Sequence, residues 1–137
     1  MHPRQGSRRW ILLMAAAVIG ATGMTAAPAA KQSAVTYLDE PTLIGSTFVV
    51  GPVQFTHDNA AMARGAPCTT VHLFDPATHR ATEEIAAFKC IPRRGDVVSK
   101  LTTTTRPSSL GYGCVLTSYQ FAGDREVHGV PEQADVN

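Results

Sequence analysis

The sequence predicts a mostly β domain: a small antiparallel sandwich or barrel of about five strands with one short helical turn, preceded by a signal peptide. Three observations point there. β-branched and aromatic residues recur in short runs from residue 46 onward. Clusters of Pro, Gly, Asp and Ser separate those runs at the spacing of small all-β folds. The one hairpin whose register can be worked out places its apolar residues on a single face.

The chain begins with Arg4, Arg8 and Arg9 and no acid in its first ten residues, then an apolar run from Ile11 to Met24. These 14 residues are too few to cross a ~30 Å hydrocarbon core, which needs about 20. With the small-residue end Thr25 to Ala30, this reads as a cleavable export signal, cut after Ala29. Ser7-Arg8-Arg9-Trp10-Ile11-Leu12 also resembles the twin-arginine export motif, whose route carries proteins already folded. The expected location is the periplasm or the extracellular space, reached by the general secretory or the twin-arginine route. No transmembrane segment is expected in the mature protein.

Residues 30–44 read as a flexible lead-in, 45–123 as a single β-rich domain and 124–137 as a polar C-terminal tail. Within the domain, Ser46 to His57 is a first strand broken by Gly51-Pro52, which implies an edge or a bulge. Asp58 to Gly65 is a helical turn, with Asp58 as N-cap and Gly65 as stop. Cys68 to Asp75, Thr82 to Ile91, Val97 to Thr105 and Gly113 to Ala122 are the remaining strands.

The chain carries 12 Lys or Arg against 11 Asp or Glu, a formal charge of +1 with His neutral. Loss of the leader removes three arginines and no acid, leaving nine cations against eleven acids, or −2. That balance lacks the basic excess of a nucleic-acid binder. Neither a polybasic stripe for membrane surfaces nor any internal repeat is present. Partners are otherwise open, a protein partner included.

Three cysteines, Cys68, Cys90 and Cys114, would meet an oxidising compartment, where thiols usually pair. If the hairpin turns near His79, facing positions sum to about 158. Cys68 then meets Cys90, and Val71 and Leu73 meet Ala87 and Ile85 on an apolar face. The expected disulfide is therefore Cys68–Cys90, with Cys90–Cys114 as the rival and Cys114 as the free thiol.

Three functional readings follow. The first is an exported, non-catalytic binding or structural module with one disulfide and no cofactor. The second is a copper- or zinc-binding domain using His57 and His72 with Met62 or His128, since imidazole and thioether suit those ions. Cys68 is an awkward ligand partner for His72, because an extended chain separates their Cα atoms by about 13 Å. Asp58 could add a carboxylate, and Glu126 and His128 would share one side of an extended segment. The third is a thiol enzyme using Cys114 in the Gly111-Tyr112-Gly113-Cys114 stretch, given a neighbouring base. No nucleophile elbow, P-loop, haem-attachment or redox C-x-x-C pattern is present. Arg94-Gly95-Asp96 spells an adhesion tripeptide but is also ordinary turn chemistry.

Overall fold

The computed structural model describes residues 31–132. The expected signal peptide and the last five residues of the expected tail lie outside the described residues. The elements in chain order are β1 (Lys31–Ile44), β2 (Thr47–Asp58), α1 (Asn59–Ala63), β3 (Thr69–Asp75), β4 (Arg80–Phe88), β5 (Ile91–Arg94), β6 (Thr102–Pro107), β7 (Cys114–Gln120) and β8 (Glu126–Gly129). Among the described residues no helix is long and apolar enough to cross a membrane.

The protein is mostly β, as its sequence predicts, but its architecture is one open sheet of eight strands, not a closed barrel or a sandwich of about five strands. The order is β4-β3-β2-β1-β7-β8-β5, with β6 also paired to β7. All pairings are antiparallel except β1 with β7, which meet in parallel at Thr42↔Cys114 and Leu43↔Val115. This short junction joins a leaf of β1–β4 to a leaf of β5–β8.

The sheet folds over on itself. Thr69 on β3 and Tyr119 on β7 are hydrogen-bonded through their hydroxyls. Three steps along a flat sheet would hold them about 14 Å apart, at about 4.8 Å per step. The rings of Phe55 and Tyr119, two strands apart, lie 4.8 Å apart. The core between the leaves contains Ile44, Val53, Phe55, Val71, Leu116, Tyr119 and Phe121. On β2 the alternation is plain: Val49, Gly51, Val53, Phe55 and His57 face inward. On β7 an extra residue at Thr117 shifts the register against β6, so that Leu116 and Tyr119 both reach the core.

Several expectations need correction. Residues 31–44 are not a lead-in but the longest strand, paired with β2 from Lys31↔Asp58 onward. Its lack of a continuous apolar run concealed it: one face of the strand is exposed. The irregularity expected at Gly51-Pro52 falls on the facing strand, where β1 advances four residues from Leu38 to Thr42 while β2 advances two. The 124–137 segment likewise contributes β8. The β3–β4 hairpin is one residue out of the expected register, pairing Thr69↔Phe88, Thr70↔Ala87 and Val71↔Ala86, with further shifts toward the turn. Ala86 and Phe88, not Ala87, therefore pack against the core. The expected strand Thr82 to Ile91 is two elements. β4 stops at Phe88, and the chain crosses through Cys90 to β5 on the other leaf.

The helical turn stands as expected: Asp58 caps α1 by accepting from the Ala60 and Ala61 amides at 2.9 and 3.3 Å. Gly113 sits where two backbones approach closely. Its φ is +66°, and a Cβ there would fall on the Pro41 carbonyl oxygen. The backbone it admits is that of β1, at the junction between leaves. Gly113→Ala is expected to lose about 1–3 kcal/mol, read by thermal unfolding. An unchanged midpoint would show that the junction tolerates a side chain.

Candidate metal centre

The fold brings two histidines and two cysteines into one buried cluster between the leaves. His57 ends the inward face of β2. The chain then leaves through α1 and returns, with Asp58 N–H donating to the Cys68 carbonyl at 2.8 Å, so that His57 and Cys68 lie side by side. Cys90 arrives on the crossover between β4 and β5. His128 comes from β8, facing Tyr119 in register. His57 and His128 are each 1 % exposed, and Cys68 and Cys90 are buried.

Cys90 Sγ is central. It lies 3.0 Å from Cys68 Sγ, 3.4 Å from His57 Nε2 and 3.6 Å from His128 Nδ1. The Cys90 amide donates to Cys68 Sγ at 3.2 Å. The two imidazole centroids are 4.2 Å apart, and the His128 ring stacks on Tyr119 at 4.8 Å and 21°. Glu126 Oε1 approaches His128 Nδ1 at 3.4 Å, and His128 Nε2 is buried with no hydrogen-bond partner among the described residues. Two overlapping ligand sets result: His57 with Cys68 and Cys90, and His57 with Glu126 and His128.

These spacings suit a metal ion. With Zn–S of about 2.3 Å and Zn–N of about 2.0–2.1 Å, a tetrahedral site puts sulfur and nitrogen about 3.6 Å apart and two sulfurs about 3.8 Å apart. The observed sulfur–nitrogen separations of 3.4 and 3.6 Å fit closely. The sulfur pair at 3.0 Å stands between that value and the ~2.05 Å of a disulfide. All three cysteines are free thiols in this structure.

Burial opposes charge on His57, His128 and Cys90. It is the largest cause lowering the pKa of His57, opposed by Glu126, Asp58 and Asp124. It lowers that of His128 to about 4, helped by neighbouring His57. It pushes the Cys90 thiol up to about 12, with Cys68 adding to the shift, and raises the Tyr119 phenol. A thiol so placed is a poor nucleophile by itself. A bound cation would reverse this, because its charge deprotonates the thiol that coordinates it.

Of the ligand set expected from sequence, His57 and His128 come together here and the other two residues do not. His72 sits on β3 between Gln54 and Glu84, on the face opposite inward Val71. Met62 is half-buried on α1 and makes no hydrogen bond to the cluster. Asp58 is occupied as the helix cap. The sequence reading did not place Cys90 among the candidate ligands, nor Tyr119 and Thr69 beside the cluster. The parity of His57 with Val53 and Phe55 was the available signal for an inward histidine. Cys114 lies at the other end of β7, buried against Thr42 Oγ1 at 3.3 Å and the Pro41 carbonyl at 3.7 Å. A groove of about 440 Å³ is lined by Pro92, Arg93, Arg94, Asp124, Arg125 and Glu126, so Glu126 is common to groove and cluster.

Among known proteins, no family model, curated protein or solved structure matches this chain.

Proposed function

We propose that this protein is an exported, non-catalytic β module that binds a single thiophilic d¹⁰ ion, zinc(II) or copper(I), between its two leaves. The observation that carries the reading is the position of Cys90 Sγ, within 3.6 Å of Cys68 Sγ, His57 Nε2 and His128 Nδ1 at once. Thiolate and imidazole are the ligand types those ions prefer. Burial of the whole set favours a closed, structural site over a catalytic one, which keeps an open position.

The ion would tie residues from β2, the β3 entry, the β4–β5 crossover and β8, and so clamp the leaves at the end away from the β1–β7 junction. Because the unfolded chain offers no preformed site, binding free energy adds to folding stability, by about 4 kcal/mol when free ion is 1,000 times Kd. Reduced, metal-free protein titrated with zinc(II) under anaerobic conditions is expected to take up one ion per chain and to unfold at a higher temperature. No uptake of zinc(II), and none of copper(I) in a parallel titration, would overturn the reading.

A further inference from the structure

We propose that the Cys68–Cys90 pair makes ion binding redox-controlled: oxidation of the pair by a low-molecular-weight disulfide closes it and expels the ion. This rests on the metal-binding reading above and adds a regulation to that same site.

The geometry places the pair between its two chemical states. Its sulfurs, 3.0 Å apart, need move only about 1 Å together to reach the ~2.05 Å of a disulfide, or somewhat less apart to span a tetrahedral ion. Both shifts lie within the reach of side-chain rotation. The two states exclude one another, since the thiolate charge that holds the ion is consumed when the S–S bond forms. The remaining imidazoles of His57 and His128 are then left with half a ligand set.

The step balances as follows. Cys90 Sγ, held as a thiolate by the ion and belonging to the less buried of the two cysteines at 8 % exposure against 3 %, attacks one sulfur of the small disulfide. A mixed disulfide forms and one small thiolate leaves. Cys68 Sγ then attacks the Cys90 sulfur, and the second small thiolate leaves. The protein pair has lost two electrons, the small disulfide has gained them, two protons from solvent convert the leaving groups to thiols, and the ion departs hydrated. Cys114 takes no part: it is separated from the pair by most of β7 and packs against Thr42 and Pro41.

The test uses the reduced chain loaded with one equivalent of zinc(II), then treated with oxidised glutathione in the presence of a chromophoric zinc indicator. The expected result is release of the loaded zinc in step with loss of two of the three thiols. Peptide mapping should then find Cys68 linked to Cys90, with Cys114 still free. Cys114→Ser should release zinc to the same extent. Zinc retained after the two thiols are lost would overturn the inference, as would release without a Cys68–Cys90 link, while leaving the metal site standing. Failure of the chain to load zinc or copper(I) at the outset would overturn both.

Discussion

Cys90→Ser is expected to weaken zinc binding by more than about 100-fold, beyond the 10–100-fold typical of losing an outer-shell partner. The reason is positional. Cys90 Sγ alone touches Cys68, His57 and His128, so its loss removes a ligand and the point through which the others converge. A serine oxygen is shorter-reaching and far less willing to ionise beside a borderline-soft ion. The fold should survive, because the crossover backbone is anchored by the Cys90 amide donating to Cys68 Sγ and by β5 pairing with β8. Circular dichroism of the metal-free variant checks that point. His72→Ala is the matched control: that imidazole stands on the opposite face of β3 and should leave zinc affinity unchanged. Equal affinity for Cys90→Ser and the parent chain would remove Cys90 from the site.

Phe55→Ala is expected to cost about 3–5 kcal/mol, the range for deleting a buried aromatic. Phe55 is fully buried, faces inward on β2 and packs its ring 4.8 Å from that of Tyr119 on β7. It therefore bridges the leaves, whose strands pair with each other, among the described residues, only through the brief β1–β7 contact. Collapse into the space it leaves would require one leaf to move toward the other, and the junction at Gly113 and Pro41 leaves little room for that. For a domain of about this size each kcal/mol lowers the thermal midpoint by about 4–8 °C. The same variant should also weaken zinc binding, since Tyr119 supports the His128 ring by stacking. A midpoint shift of only a few degrees would show that the leaves do not depend on this contact.

The β character of the chain was legible because strand runs and turn clusters alternate along it, and the Asp58 cap of α1 because capping chemistry is local. What could not be read is the way the open sheet folds over on itself. Residues 31–44 look like a linker because an exposed strand face does not announce itself, and the β1–β7 contact joins residues more than 70 positions apart. The hairpin reading brought Cys68 and Cys90 together, though by a register one residue out. Their proximity survives because Cys90 lies past the end of β4, on a crossover whose course no pairing rule dictates. His128 was legible only as one histidine among several in a polar segment. Its burial depends on β8 pairing with β7, a long-range event. His72 was the attractive error. Its strand position was read correctly, and the same alternation that turns Val71 inward turns His72 to the opposite face.

The most direct measurement is X-ray absorption at the zinc edge of the reduced, zinc-loaded protein. The predicted result is mixed coordination with sulfur at about 2.3 Å and imidazole nitrogen at about 2.0–2.1 Å, the sulfur shell falling by half in Cys68→Ser. A first shell of light atoms only, unchanged by that substitution, would contradict the proposed centre.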